Sequence, residues 1–373
     1  MFDKIKKGFI SIEIVVIASV VLIGGLAGTS AFLKNGQNAQ GQSAAAMNNT
    51  IDMIEEEFEF GAGGLPEILG DIMIGNTTYE SLQEAVDAAK DGDAIKLYAD
   101  ISDMAIEVDK DITISGNIYA HNVSILANGA NELTVSGLTF TGNSWISSGT
   151  ATKLTVSGVT ANVTPSNTAQ TNSRSAFIAL GRSESKTLDL IVENCNIVSN
   201  GGTNPVLGWA AITSATISGN TFGSESAYQT NSDSVKFMGI AEGAIINIIN
   251  NTVYSNYNGI VLGQNTTRGN AYTAYIDGNT FVGGADHIWI EVSGSNTTHA
   301  TIDATSNNTV NGTTFKASDI KVHPNVNTWT SYAGVDVVKD GSGKVIGGQL
   351  AFYSADAIAD NYKVGSNGEV TTK

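Results

Sequence analysis

Side chains able to do acid–base chemistry are sparse in this chain of 373 residues. Two acids stand out: Asp233, in an Asn-Ser-Asp-Ser-Val segment, and Asp286, in Ala-Asp-His-Ile-Trp-Ile-Glu. Glycoside hydrolysis needs a pair of carboxylates held together. Arg174, Arg182 and Arg268 are too scattered along the sequence to nominate a catalytic base. We therefore predict no catalytic residues and no enzymatic activity.

The segment around Trp289 points to binding instead. If Ile288 and Ile290 face a core, two-residue alternation places His287, Trp289 and Glu291 together on the outer face of a strand. An exposed indole flanked by hydrogen-bonding groups suits the face of a sugar ring. These three residues are a candidate glycan contact, and the alternative is a surface tryptophan partly covered by a loop.

Metal sites are not indicated by the sequence. Four histidines and one cysteine, Cys195, provide no zinc ligand set. Asp91-Gly92-Asp93 has the composition of a calcium loop, but a turn between a helix and a strand explains it equally well. We predict no metal and no cofactor. A single cysteine also excludes an intramolecular disulfide, and its strand-like surroundings favour a buried free thiol.

A different chemistry is suggested near residue 10. The basic segment Lys6-Lys7-Gly8 is followed by Phe9, by Glu13, and by 20 uncharged residues from Ile14 to Leu33. Such a run is long enough for a helix to cross a hydrocarbon core of about 30 Å. A carboxylate at the edge of a membrane segment requires a partner, because burying it alone is unfavourable.

This order of residues resembles the class III signal sequence of type IV pilins. The resemblance implies cleavage by a prepilin peptidase between Gly8 and Phe9, and methylation of the new N-terminus. It also implies that Glu13 neutralises the N-terminal amine of a neighbouring subunit during assembly. Two alternatives are a secretory signal peptide, for which Ala27 to Ala31 imitate a cleavage site, and a plain N-terminal anchor.

The segments that follow have clear boundaries. We expect a leader over residues 1–8, one long imperfect α-helix over 9–60, and a linker over 61–70 that is rich in glycine and contains Pro66. The formal net charge of −17 and the absence of clustered lysine and arginine disfavour nucleic acid as a partner.

A new domain begins near residue 71. Thr77 to Glu80 fits a capping box for a short helix. An apolar stripe on that helix is predicted for Leu82, Ala85, Val86 and Ala89. Beyond it, a strand-turn-strand motif of the type Ile-Ser-Gly-Asn-Thr-Phe recurs at intervals of 21 to 36 residues. Its copies start at Ile114, Val135, Val156, Val192, Ile217, Ile248, Ile276 and Thr305.

A fixed motif with insertions of variable length is typical of a solenoid. We expect a mainly β fold, a right-handed parallel β-helix over residues 71–320. Gly or Asn is expected at the left-handed position of each bend, and repeated Asn side chains are expected to form a hydrogen-bonded ladder. A β-sandwich is the structural alternative. Residues 321–373 are interpreted as a C-terminal cap or small β module with a hairpin around Val337 to Ile346.

The segment from Glu80 to Ile95 resembles the N-terminal cap of pectin-lyase-like β-helices. That family includes polysaccharide lyases and hydrolases, and the surroundings of Asp233 and Asp286 faintly resemble polygalacturonase strand ends. The doubled Asp, the Gly-His-Gly and the Arg-Ile-Lys of polygalacturonases are all missing from this chain. Fold alone does not establish activity.

Together these patterns predict a type IV pilin-like filament subunit that displays a β-helix head for surface contact or adhesion. Its expected partners are other pilin subunits, prepilin peptidase, a membrane assembly platform and surface glycans. It is expected in the membrane before assembly and in an extracellular pilus afterwards. A major pilin, a minor or tip pilin and a pseudopilin remain open alternatives. Another is a membrane-anchored β-helix protein that binds or cleaves polysaccharide.

Overall fold

The computed structural model describes residues 71–373 except 172, 182–185, 265–271, 285, 293–299, 306, 316–318, 323–330, 340–344, 355–361, 365–369 and 373. The expected leader, long helix and linker, and with them Gly8, Phe9 and Glu13, lie outside the described residues. Within the described part, no helix is both long enough and apolar enough to cross a membrane.

The described chain is mainly β, with two short helices, α1 (Leu82–Ala88) and α2 (Thr168–Thr171). In chain order the strands are β1 (Ile72–Ile74), β2 (Thr77–Tyr79), β3 (Ala94–Leu97), β4 (Ile101–Val108), β5 (Ile112–Gly116), β6 (Tyr119–Ala127), β7 (Glu132–Ser136), β8 (Thr139–Gly142), β9 (Trp145–Ser147), β10 (Lys153–Ser157), β11 (Thr160–Val163), β12 (Ala176–Ala179), β13 (Thr187–Glu193), β14 (Asn196–Ser199), β15 (Asn204–Ser218), β16 (Thr221–Phe222), β17 (Val235–Ile249), β18 (Thr252–Tyr254), β19 (Ile260–Gln264), β20 (Tyr272–Asp277), β21 (Thr280–Val282), β22 (Ile288–Val292), β23 (Ala300–Ala304), β24 (Thr309–Val310), β25 (Thr313–Thr314), β26 (Ile320–Val322), β27 (Ser331–Lys339), β28 (Val345–Ser354), β29 (Tyr362–Val364) and β30 (Val370–Thr372).

Most strands pair in parallel with the strand one repeat earlier and one repeat later, which produces three ladders. The first ladder contains β3, β5, β7, β10, β13, the C-terminal halves of β15 and β17, then β20 and β23. The second contains the first residues of β4 and β6, then β8, β11, β14, β16, β18, β21 and β24. The third contains the ends of β4 and β6, then β9, β12, the N-terminal halves of β15 and β17, β19, β22 and β26. We call one passage through the three ladders a coil, and this connectivity is compatible with a β-helix.

The register confirms the repeat seen in the sequence. Each motif start from Ile114 to Ile248 pairs with the start in the next coil, and together with Ile276 these residues form one buried column. The last copy differs, because Ile276 pairs with Ala304 and not with the expected Thr305. One additional residue is therefore accommodated in the bend of that coil.

The bend between the first and second ladders also follows the prediction. Its left-handed residue has a φ of +65° at Gly219, +56° at Asn250 and +65° at Gly278. A Cβ atom at Gly278 would lie 2.2 Å from the side-chain oxygen of Asn250. The φ angle favours glycine at Gly278, and a Cβ atom there would also force the Asn250 side chain to move.

Next to this bend, four buried asparagines form a ladder of side-chain amides. Asn220 Nδ2 donates to Asn251 Oδ1, Asn251 Nδ2 to Asn279 Oδ1, and Asn279 Nδ2 to Asn308 Oδ1, each at 2.9 Å. Each of these side chains is at most 1% exposed. The ladder expected from the repeated asparagines is confirmed, and it satisfies polar groups that would otherwise be buried without partners.

The same position is apolar in the preceding coils, where it is occupied by Leu138 and Val159 and then by Cys195. The backbone N–H of Cys195 donates to Asn220 Oδ1 at 2.9 Å, so the amide ladder begins there. The Cys195 thiol is free and buried, as the sequence suggested. Its burial raises the pKa of the thiol to about 11.

The first described coil is closed by antiparallel strands and a helix. β1 pairs with β2 and β3, and the helix begins after Ser81, whose side chain accepts from Glu84 N–H. The predicted capping box at Thr77 to Glu80 is therefore wrong. The helix begins later because Thr77–Tyr79 is used for pairing with β1. The predicted apolar stripe is correct, since Leu82, Ala85, Val86 and Ala89 are buried.

Antiparallel pairing also follows the last coils. β24 pairs with β25, and β23 pairs with β28. β27 and β28 form a hairpin that contains the one expected around Val337 to Ile346. β29 and β30 form a separate two-stranded sheet.

Candidate functional site

A groove of about 250 Å³ lies beside the third ladder, and we call it the ladder groove. It is lined by Ser173, Arg174, Asn204, Leu207, Asp233, Lys236, Tyr257, Asn258 and Trp289. One wall of the groove follows the third ladder. In that ladder the parallel strands place Leu207 beside Lys236, Lys236 beside Val261, and Val261 beside Trp289. Four successive coils thus contribute to a single surface.

Asp233 is the central polar group of the groove. Its side chain is 5% exposed, and its Oδ2 lies 3.5 Å from Lys236 Nζ. Its Oδ1 accepts from Asn258 Nδ2 at 2.7 Å, and its backbone carbonyl accepts from Asn204 Nδ2 at 2.8 Å. A buried carboxylate needs such partners, because desolvation without compensation strongly disfavours the charged form.

Arg174 and Tyr257 form an adjacent cationic and aromatic surface. The guanidinium donates to the backbone carbonyl of Asn231 and lies 5.9 Å from the centre of the Tyr257 ring. Tyr257 is 37% exposed. A cation over an aromatic face is a favourable arrangement that keeps both groups in place.

Asn204 carries an unused acceptor in the groove. Its side chain is fully buried, its Nδ2 is bound to Asp233, and its Oδ1 has no hydrogen-bond partner in the described part of the chain. An unpaired buried amide oxygen is unfavourable by roughly 1–3 kcal/mol. A donor from a water molecule or from the hydroxyl of a ligand removes that penalty.

Trp289, a residue of the predicted glycan contact, lines the ladder groove, and His287 is not among the described lining residues. The ring of His287 lies 5.7 Å from the ring of Phe281, which is fully buried. Ile288, expected in the core, is buried. The side chain of Glu291 lies outside the described residues.

Of the two acids considered for catalysis, only Asp233 lines the groove; Asp286 does not. The structure also adds Arg174, Lys236, Asn204 and Tyr257, which the sequence did not assign to a site. Their convergence depends on which coil stacks on which, and on the conformation of the bends between them. Arg174 and Trp289 are far apart in sequence, and no local motif connects them.

The lining residues of the groove provide hydrogen-bonding groups, one ion pair and aromatic faces. Asp233 is the one carboxylate among the described lining residues, and it is paired with Lys236. Among the described residues, no three His, Cys, Asp or Glu side chains form a group that would hold a metal ion. In the turn at Asp91-Gly92-Asp93, Asp91 accepts from Asp111 N–H and Asp93 from Lys90 N–H.

Comparison with protein-family models, curated proteins and solved structures finds no match to this chain.

Proposed function

We propose that this protein is a type IV pilin-like subunit of an extracellular filament. The observation that carries the proposal is the order of Lys6-Lys7-Gly8, Phe9, Glu13 and the uncharged run from Ile14 to Leu33. In this proposal prepilin peptidase cleaves after Gly8, and an assembly platform in the membrane extracts the helix into a filament.

Electrostatics supports a role of Glu13 in assembly. The new amine at Phe9 and the Glu13 carboxylate are both dehydrated in a bundle of apolar helices. An amine and a carboxylate from neighbouring subunits form a strong charge-assisted hydrogen bond there. Removing one partner leaves the other charge buried and unpaired, which is unfavourable by about 3–5 kcal/mol. Correct assembly is therefore favoured over isolated subunits.

We further propose that the three ladders form a right-handed parallel β-helix, which the filament displays as its head. The stacked register of the motif starts and the asparagine ladder support this. The proposed partners are other pilin subunits, the peptidase and the platform. Nucleic acid is not proposed, because the net charge of −17 opposes phosphate binding.

The test is the intact mass of the chain in a sheared, cell-free filament fraction, together with Glu13→Ala and Glu13→Asp variants. We expect a mature chain that begins at Phe9. Glu13→Ala should be processed but depleted from filaments at least tenfold, which corresponds to about 1.4 kcal/mol. Glu13→Asp keeps the charge and should retain more assembly. A chain that still carries Met1, or one cut near Ala31, would rule out the pilin proposal.

The ladder groove favours a second, compatible function: contact between the head and a glycan. Trp289 and Tyr257 offer aromatic faces, and Arg174 and Asn258 offer polar planes. Sugar rings bury one apolar face and satisfy many hydroxyls, so this combination suits them.

Binding of intact filaments to a glycan array tests this function. Trp289→Ala should weaken a positive signal at least tenfold, and the exposed Tyr119→Ala, which lies outside the groove, should leave it unchanged. An equal response of both variants would show that the groove is not the contact. Release of shorter saccharides would favour the membrane-anchored enzyme alternative.

A further inference from the structure

Two side chains of the ladder groove, Lys236 and Asn258, contact the carboxylate of Asp233. Asp233 Oδ2 lies 3.5 Å from the amine of Lys236, and Asp233 Oδ1 accepts from the amide nitrogen of Asn258 at 2.7 Å. The two oxygens of one buried acid therefore contact an amine and a carboxamide at the same time. An acid in contact with both an amine and a carboxamide can transfer protons between a nucleophile and a leaving group.

We propose that Lys236 and Asn258 form an intramolecular isopeptide bond, with Asp233 as the proton shuttle. The reaction requires neither oxidant nor co-reactant. The Lys236–Asp233 ion pair first transfers one proton, which leaves a neutral amine and a protonated carboxyl. The amine lone pair then forms the Nζ–Cγ bond to Asn258, and the Cγ–Nδ2 bond breaks.

The protons balance through the same carboxyl. The Asp233 carboxyl gives the proton that it received from Lys236 to the departing Nδ2 of Asn258, and it then takes the second proton from Nζ of Lys236. The products are one secondary amide, one ammonia molecule and a protonated Asp233 carboxyl. Ammonia then takes that proton and leaves as ammonium.

The burial of the acid favours this chemistry. The side chain of Asp233 is 5% exposed and that of Lys236 is 20% exposed. The low exposure of the acid limits the access of bulk water to the amine and to the side-chain carbonyl carbon of Asn258.

The backbone around Asn258 supports the same outcome. The backbone carbonyl of Asn258 accepts from Ser234 N–H at 3.1 Å. The N–H of Gly259 donates to the backbone carbonyl of Asp286 at 2.9 Å. A Cβ atom at Gly259 would lie 2.6 Å from the carbonyl oxygen of His287, so glycine is needed for this close approach. An Asn-Gly pair can otherwise cyclise to a succinimide, and the engaged Gly259 N–H opposes that competing reaction.

The bond would join β17 to the segment that precedes β19. These two strands are neighbours in the third ladder, where Lys236 pairs with Val261. The cross-link would therefore connect two successive coils covalently. This inference is independent of filament assembly, because it depends only on the folded head.

Tryptic peptide mapping of the purified full chain tests the proposal. Lys186, Lys236 and Arg268 delimit the peptides 187–236 and 237–268. A lysine in an isopeptide bond is not cleaved by trypsin, because its charge is lost. We expect one linked species, 187–268, lighter by one ammonia, about 17 Da. An unlinked peptide that ends at Lys236 together with unchanged Asn258 would overturn the proposal.

A succinimide at Asn258 gives the same mass loss, but it leaves cleavage after Lys236 intact. That pattern would also count against the isopeptide bond. The map therefore separates the two reactions by connectivity and not by mass alone.

Three variants complete the test. Lys236→Arg keeps a positive charge beside Asp233 but cannot form the amide, and Asp233→Asn removes the proton shuttle. Both should reduce the linked species at least tenfold. Lys153→Arg, at the exposed pair with Glu132, should leave it unchanged. Circular dichroism identifies variants that fail to fold. A folded Asp233→Asn chain that links fully would exclude the proposed role of the acid.

Discussion

The side-chain nitrogen of Asn251 lies 2.9 Å from the side-chain oxygen of Asn279 in the next coil. The same oxygen accepts from the backbone N–H of Asn251, also at 2.9 Å. The buried side-chain oxygen of Asn279 therefore accepts from both the side chain and the backbone of Asn251, which lies at the bend of the neighbouring coil. The stability of the later coils depends on an unbroken series of such contacts.

Asn251→Ala should destabilise the head strongly. The substitution removes the acceptor of the Asn220 backbone N–H and three further side-chain hydrogen bonds, to Asn220, Asn279 and the Ile217 carbonyl, and it opens a small cavity. We expect a decrease of about 2–4 kcal/mol in the free energy of unfolding. Urea denaturation followed by circular dichroism measures it. The exposed Asn117→Ala is the control and should change stability by less than about 0.5 kcal/mol. Equal effects of the two substitutions would contradict a structural role of the ladder.

Three glycine substitutions separate space from backbone strain. Gly284→Ala meets no atom within 4 Å and has an ordinary φ, so it should have little effect. Gly158→Ala also meets nothing within 4 Å, but its φ of +59° should lower stability by roughly 1–2 kcal/mol. Gly278→Ala combines a φ of +65° with a contact of 2.2 Å and should be the most damaging.

Melting temperatures of the three variants, measured at one protein concentration, provide the comparison. The expected order is Gly284→Ala above Gly158→Ala above Gly278→Ala. If Gly278→Ala melted as high as Gly158→Ala, which has the strained φ but no close contact, the approach to Asn250 would add nothing to the backbone strain.

Cys195 should be inert to alkylation in the folded protein. Burial raises the pKa of its thiol from 9.0 to about 11, and the side chain is 2% exposed. Iodoacetamide at pH 8 should leave the native mass unchanged and add one group in denaturant. Rapid native alkylation would show that this part of the ladder opens.

The raised pKa of the Cys195 thiol predicts that the free energy of unfolding depends on pH. The folded state holds the Cys195 proton more tightly than the unfolded state. Its contribution to stability is therefore complete below pH 9 and is lost as the pH rises toward 11. Urea denaturation between these limits should show the fall, and Cys195→Ala should remove that component.

Asp111 should give a pH dependence of the opposite sign. Its carboxylate accepts from the backbone N–H groups of Asn131 and Glu132, and the hydrogen bond from Glu132 is the main reason that its pKa lies below 3.8. The contribution is present above pH 3.8 and is lost as the pH falls through the lower value of the folded state. Asp111→Asn should flatten the acid side of the stability profile. An unchanged profile would mean that other carboxylates determine it.

Much of the fold is predictable because stacking repeats the same local constraints. The positions of Ile114 to Ile276, the bend residues and the asparagine ladder all follow from one short motif. The predicted start of helix α1 is wrong because the local sequence of Thr77–Tyr79 suits either a helix start or a strand. Only the tertiary pairing with β1 selects the strand. The shift of one residue at Ala304 is likewise decided by register and not by composition.

The ladder groove was much less accessible to prediction. Trp289 was identified because alternation within one strand is a local property. Arg174, Asp233 and Asn258 converge only after variable bends have placed three coils side by side. A short sequence pattern contains no information about distances between residues in different coils. The ion pair of Lys236 with Asp233 and the unpaired Oδ1 of Asn204 are therefore evident only in the folded structure.

The junction between Cys195 and Asn220 limits how this protein can change length during evolution. Duplicating a coil of the asparagine segment, between Asn220 and Asn308, preserves every amide contact. Duplicating one of the preceding coils of the apolar segment, such as those of Leu138 and Val159, preserves an apolar column of side chains. Moving a coil from one segment into the other would place an amide against aliphatic side chains on both sides. Related chains that gain or lose coils should therefore do so within the apolar segment or within the asparagine segment. They should retain one boundary between the apolar positions and the asparagine ladder.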